Sequence, residues 1–264
     1  MIPDLGQISL AYDETGPQDG PGLVLLHALG SDRSVWADLI AALPPGLRII
    51  APDLRGHGES PAPDEPYYMG DLVADVARLM DKLGMREAAV LGLSMGGMVA
   101  QGLAAERLDL VRVLLLTGTA VKIGTPAIWD ARIADIRFSG ISPLMEANMT
   151  RWFAATTRKE RPDLVDAARA RFRATDLEGY IGCAQAIGET DLYESTARLR
   201  LPTLVMAGSE DGSTPPDLVR EVAELIPGAQ FELIRNAAHM APVEQPQEMA
   251  AHIADFLHAT GHLT

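Results

Sequence analysis

Six short apolar runs punctuate this chain: GLVLLHA from Gly22, LRIIAPD from Leu47, EAAVLGL from Glu87, VRVLLLTG from Val111, PTLVMAG from Pro202 and QFELIRN from Gln230. Runs this short, bounded by Gly, Pro or Asp, suit strands buried on both faces, as in a parallel sheet. Between most of them lie helical patterns. DLVADVARLMDKLG, for example, places Leu72, Val73, Val76, Leu79, Met80 and Leu83 on one stripe and closes at Gly84. Strand and helix in alternation predict an α/β fold, a mostly parallel sheet flanked by helices.

The alternation breaks once, after Thr117. Residues 122–191 read as several helices without a convincing strand, and strand rhythm resumes at Leu201. The expected organisation is a core of residues 1–121 and 192–264 with a helical cap, 122–191, inserted in it. No internal repeat or low-complexity tether separates the two, so the cap should pack on the core. A length of 264 residues buries a large core without staples, and the single cysteine, Cys183, has no intramolecular partner. The start MIPDLGQISL has neither a basic cluster nor a long apolar stretch, so a cytoplasmic location without membrane insertion is expected. A net charge of −14 argues against nucleic acid or an anionic membrane as partner and is otherwise explained by solubility; oligomeric state is not readable. All of that negative charge lies outside the cap, which carries as many basic as acidic side chains.

At the end of the third run, Gly92, Leu93, Ser94, Met95 and Gly96 spell G-x-S-x-G ahead of a series of small, helix-compatible residues. A sharp strand-to-helix turn forces its serine into an unfavourable backbone conformation and needs neighbours without bulky side chains, which Gly92, Gly96 and Gly97 supply. The competing reading is a serine helix cap in another α/β fold. Serine needs a base, and the base an orienting carboxylate. His239 follows the last strand run in NAAHMAPVEQP, at the sheet edge where ligands of open α/β folds gather. His252, His258 and His262 fall on the terminal helix or tail and are expected at the surface. Asp211 follows PTLVMAG in a Gly- and Pro-rich turn, with Glu210 expected to point elsewhere and Asp217 to open the next helix. The order Ser94, Asp211, His239 is that of α/β-hydrolase triads. The oxyanion donors would be the backbone N–H groups of Met95 and, by position in LLHALGSD, Leu29. His27 is expected to brace that loop, and Asp53, Arg55 and His57 of PDLRGHGES to pin a turn beneath the site, since their spacing fits no metal set. Neither metal nor organic cofactor is implied.

HALG, DLRGHGES, GLSMGG, AGSEDGSTPP and NAAHMAPVEQP together resemble the α/β-hydrolase superfamily over nearly the whole chain. Within it, the cap segments TGTAVKIGTPAIWDARI, RWF and ATDLEGYIGCAQAI are similar to those of 3-oxoadipate enol-lactonases. That resemblance implies opening of an enol-lactone ring through an acyl-enzyme in aromatic degradation. Such a substrate carries a carboxylate, which an acidic protein repels unless a local cation receives it. Lys122, Arg132, Arg137 and Arg151 are the candidate anchors, with Trp129 and Trp152 as apolar walls. Cap methionines and Phe153 are expected to pack. Two alternatives stand beside this reading: an esterase or lactonase for neutral substrates, and a non-catalytic protein that uses the same pocket to bind a ligand.

Overall fold

The computed structural model describes residues 8–263. Among them, β1 (Tyr12–Thr15), β2 (Gly22–Leu26), β3 (Arg48–Pro52), β4 (Ala88–Leu93), β5 (Val111–Thr117), β6 (Thr203–Gly208) and β7 (Gln230–Ile234) form one sheet in the order β1-β3-β2-β4-β5-β6-β7. Every neighbouring pair is parallel except β1 with β3. The six apolar runs thus become the six parallel strands. β1 was not foreseen, because YDET lies at the sheet edge, half-buried or exposed throughout, and has no apolar run to announce it.

The register brings the ends of β2, β4, β5, β6 and β7 to one edge. Leu26 pairs with Gly92, Leu93 with Thr117, and Gly208 with Ile234. The loops leaving β4, β6 and β7 therefore emerge together at the carboxyl side of the sheet. The helix Met95–Glu106 starts at the end of β4 and lies on β2, β4 and β5, with Met95 through Ala104 all buried. It can lie so close only because of its glycines. A Cβ on Gly92 would stand 2.3 Å from the Gly96 carbonyl oxygen, and one on Gly96 would stand 2.1 Å from that of Leu26. The helix Met69–Lys82 buries the expected stripe of Leu72, Val73, Val76, Leu79 and Met80. At its start the Asp71 carboxylate accepts the Tyr68 N–H at 2.8 Å.

Between β5 and β6 the chain runs through the helices Pro126–Ser139, Met145–Trp152, Ala155–Glu160, Pro162–Ala174, Leu177–Glu189 and Tyr193–Ala197, with no strand among the described residues. This insertion has an aromatic interior: Phe172 meets Trp152 and Tyr180 edge-on, at centroid distances of 5.7 and 5.8 Å. It meets the core backbone to backbone where Gly56, at φ +71°, faces Gly179; a Cβ on Gly56 would lie 2.4 Å from the Gly179 Cα.

The loops after β2 and β3 are cross-braced by two imidazoles. Leu54 N–H donates to His27 Nε2 at 2.9 Å, and Gly30 N–H donates to His57 Nε2 at 2.9 Å. Each ring consequently carries its proton on Nδ1, which faces the Ala28 carbonyl for His27 and the Arg55 carbonyl for His57. Asp53 secures the same turn, accepting the backbone N–H groups of Arg33 and Glu59 at 2.8 and 2.9 Å. Arg55 reaches further, to a buried ion pair with Asp75 at 2.7 Å. One expectation fails: His262 is buried rather than superficial, because its Nε2 binds the Gly22 carbonyl oxygen at 2.9 Å and ties the chain end to β2.

Gly96→Ala forces a Cβ into the Leu26 carbonyl and should lower unfolding free energy by about 3 kcal/mol, the upper range for overpacking, in a denaturant titration. The cross-brace has a pH signature. Burial pushes His27 down to about 4, and burial followed by the neighbouring His27 pushes His57 down to about 3. The unfolded chain takes up these protons below about 6.5 while the fold does not, so their contribution is complete above that pH. It declines as pH falls towards 4 and then 3. His57→Gln keeps an acceptor but cannot titrate, and should flatten this decline by up to about 1.4 kcal/mol per pH unit in urea titrations at stepped pH.

Candidate active site

Ser94 sits between β4 and the helix Met95–Glu106 with φ 55° and ψ −115°, a conformation that costs a non-glycine residue on the order of 1–3 kcal/mol. Surrounding hydrogen bonds hold it there. Its N–H donates to the Thr117 carbonyl at 3.1 Å, and its own carbonyl accepts the Thr119 hydroxyl at 2.7 Å and the Gly97 and Met98 N–H groups. The side chain is thereby presented to a cavity of about 230 Å³ between the sheet edge and the helical insertion.

His239 lines the same cavity, and its Nδ1 lies 2.8 Å from Asp211 Oδ2. The other carboxylate oxygen of Asp211 accepts the Ser213 and Thr214 N–H groups at 2.7 and 2.9 Å, while the Thr214 hydroxyl donates to Oδ2 at 2.9 Å. Burial alone would raise the Asp211 carboxyl. The charge and hydrogen bond of His239, with the two backbone donors, outweigh burial and hold it below the usual carboxylate range. An ionised Asp211 keeps the His239 proton on Nδ1 and leaves Nε2 free to act as a base. Glu210, next in sequence, turns away to accept the Ala155 N–H at 3.2 Å, and Asp217 lies in the first turn of the helix Pro216–Leu225.

Leu29 lines the cavity beside Ser94. Among the described residues, neither its N–H nor that of Met95, at the start of the helix, donates to a backbone acceptor outside regular structure. The helix end adds its partial positive charge on the same side.

The remaining wall is contributed by the insertion. Trp129, Arg132, Arg151, Trp152, Asn148 and Tyr180 all line the cavity. Arg132 donates to the Tyr180 hydroxyl and to Asn148 Oδ1, and lies over the Trp129 ring at 5.5 Å. Arg151 donates to the same Asn148 oxygen. Burial, and then the charge of Arg132, lower the Arg151 pKa. Among the described residues no carboxylate lies within salt-bridge distance of either guanidinium, and Arg132 Nε, Arg151 Nε and Asn148 Nδ2 are buried without a partner. Two expected anchors lie elsewhere. The Lys122 ammonium pairs with Asp191 at 2.9 Å on the exposed surface, and Arg137 pairs with Glu65 and Glu178. Both cations find acids outside the cavity, which is the physical reason they do not enter it. Asn148 and Thr214 were not foreseen, since a lone amide or hydroxyl in a helix or turn carries no sequence signal.

Residues 21–246 match the family model described as the alpha/beta hydrolase fold. A 3-oxoadipate enol-lactonase from Acinetobacter baylyi is 33% identical over 240 residues, covering 91% of this chain and 90% of that protein. The crystal structure of an enol-lactonase from Burkholderia xenovorans superimposes with a TM-score of 0.92 at 35% identity, covering 96% of this chain and 98% of that one. A thermophilic esterase from Thermogutta terrifontis, solved with malate bound, superimposes with a TM-score of 0.90 at 31% identity, covering 96% and 94%. With the strained serine at the end of β4, the sheet order and the family match in agreement, the chain belongs to the α/β-hydrolase family.

Proposed function

We propose that this protein is a serine hydrolase that opens the enol-lactone ring of 3-oxoadipate enol-lactone to give 3-oxoadipate. The observation that carries this reading is the pair of guanidiniums, Arg132 and Arg151, that share a cavity with Ser94 and His239 and have no acidic counter-ion among the described residues. Half-buried cations without an acid suit an anion from elsewhere, and the partnerless Nε–H groups of both arginines and the Asn148 amide are donors fitted to a carboxylate. Similarity to the two enol-lactonases points the same way.

In this mechanism Ser94 Oγ attacks the lactone carbonyl as His239 Nε2 takes its proton. The developing oxyanion is received by the N–H groups of Leu29 and Met95. Collapse of the tetrahedral intermediate expels an enolate, which takes the proton from His239 and later tautomerises to the ketone. His239 then deprotonates a water that attacks the acyl-enzyme, and Ser94 recovers its proton as the acid leaves. Throughout, Asp211 stabilises the imidazolium, while Arg132 and Arg151 hold the substrate's free carboxylate and Trp129 and Trp152 flank its carbon chain. The surface position of Lys122 leaves it no part in binding.

The test is hydrolysis of freshly generated enol-lactone, followed by ultraviolet absorbance, beside a neutral short-chain aryl ester, with Ser94→Ala as control. A strong preference for the enol-lactone that vanishes in the variant is the expected result; turnover of the neutral ester alone would discard the anionic substrate and leave an esterase. Asp211→Asn should keep the fold and lower kcat by about 10³- to 10⁴-fold through loss of the productive imidazole tautomer. Arg132→Ala and Arg151→Ala should each raise KM for the anionic lactone about tenfold or more while changing the neutral ester little. Equal effects on both substrates would remove the carboxylate anchor.

A further inference from the structure

The segment of the insertion that carries Arg151 and Trp152 is stitched to both loops that carry His239 and Asp211. Gly212 N–H donates to the Arg151 carbonyl at 3.2 Å and Met240 N–H to that of Trp152 at 2.9 Å. In the opposite direction, Ala154 N–H donates to Glu244 Oε1 at 2.8 Å and Ala155 N–H to Glu210 Oε2 at 3.2 Å. Glu244 is the one side chain among these that serves both partners at once. Its second oxygen, Oε2, accepts the N–H of Ala238 at 2.6 Å, in the residue immediately before His239.

A single half-buried carboxylate thus fixes the backbone on either side of the cavity, one oxygen on each. It is well suited to this, since a carboxylate is all acceptor and each oxygen takes one N–H, whereas an amide offers one acceptor and turns its donor against the other N–H. No basic side chain lies within salt-bridge distance of it among the described residues, so its oxygens are left to the two backbone bonds.

We infer that Glu244 is a positioning residue, which sets the His239 imidazole relative to Ser94 through the Ala238 N–H and seats the Arg151–Trp152 wall relative to the same imidazole through the Ala154 N–H. The imidazole half rests on Ser94 being the nucleophile and His239 its base and not on the enol-lactone as substrate, whereas the wall half, read by KM for the lactone, rests on the proposed function as well.

The two bonds can be cut separately. Glu244→Gln and Glu244→Ala impair both. Ala154→Pro deletes only the bond to the insertion, and Ala154 already has φ −55° while Phe153 before it is extended at φ −123°, ψ 137°, so both tolerate a proline. The first readout is the rate at which an alkyl phosphonate labels Ser94, which reports the serine and histidine without a choice of substrate. Glu244→Ala should slow labelling by roughly 10²-fold, as for a displacement on the order of 1 Å, with Glu244→Gln between it and the wild type. Ala154→Pro should leave labelling within about twofold while raising KM for the anionic lactone, at nearly unchanged kcat. Circular dichroism and melting temperature would identify a variant that has simply unfolded. Unchanged labelling in folded Glu244→Ala overturns the inference, as does slowing by Ala154→Pro equal to that by Glu244→Ala. Failure of the lactone assay with labelling still dependent on Glu244 would remove the substrate assignment alone.

Discussion

Contact between the helix Met95–Glu106 and the ends of β2 and β4 is the constraint on which the rest of the site depends. The helix presses so closely that a methyl group at Gly92 or Gly96 would overlap backbone carbonyls. That approach forces the chain to reverse within one residue, and Ser94 takes the strain. A gentler turn would place a serine in the extended geometry of an ordinary N-cap, with its side chain folded over the first helical turn. Here the Ser94 side chain makes no cap bond and lines the cavity instead. Strain of this size persists only where the surroundings overdetermine it, and the Thr117, Thr119 and Gly97 hydrogen bonds do so.

Charge is organised against the average. The chain carries −14 overall, and most of its arginines are answered by carboxylates: Arg33 by Asp13 and Asp53, Arg55 by Asp75, Arg107 by Asp81 and Asp109, Arg169 by Glu146 and Asp166. Arg132 and Arg151 differ, being held by the neutral Asn148 and by Tyr180. Neutral partners fix the position of a guanidinium without cancelling its charge, so the positive potential remains available inside the cavity. The His27 and His57 braces avoid adding to it, since burial keeps both imidazoles uncharged.

Much of this was legible in the sequence because the signals were local and repetitive. Apolar runs give strands, the stripe from Leu72 to Met80 gives a helix, and Ser94, Asp211 and His239 each follow a strand run, so their meeting at one sheet edge follows from parallel topology alone. What stayed hidden depends on partners distant in sequence. Lys122 and Arg132 look alike in the chain, yet one meets Asp191 at the surface and the other meets Asn148 and Tyr180 inside. His262 resembles a tail residue until Gly22 is seen beside it. β1 escaped because an edge strand needs no apolar run, and Asn148 because its value lies in standing between two guanidiniums.

The insertion has the outward form of a cassette, entering after β5 and returning before β6, and such modules invite exchange between relatives. The bonds from Gly212, Met240, Ala154 and Ala155 oppose that. They cross the boundary at a point far in sequence from either junction, so a graft that matches both junctions perfectly still severs them. New substrate preferences in this chain are therefore reached more easily by changing side chains within the existing helices than by importing a whole lid, unless residues 151–155 and the loops beneath them travel together.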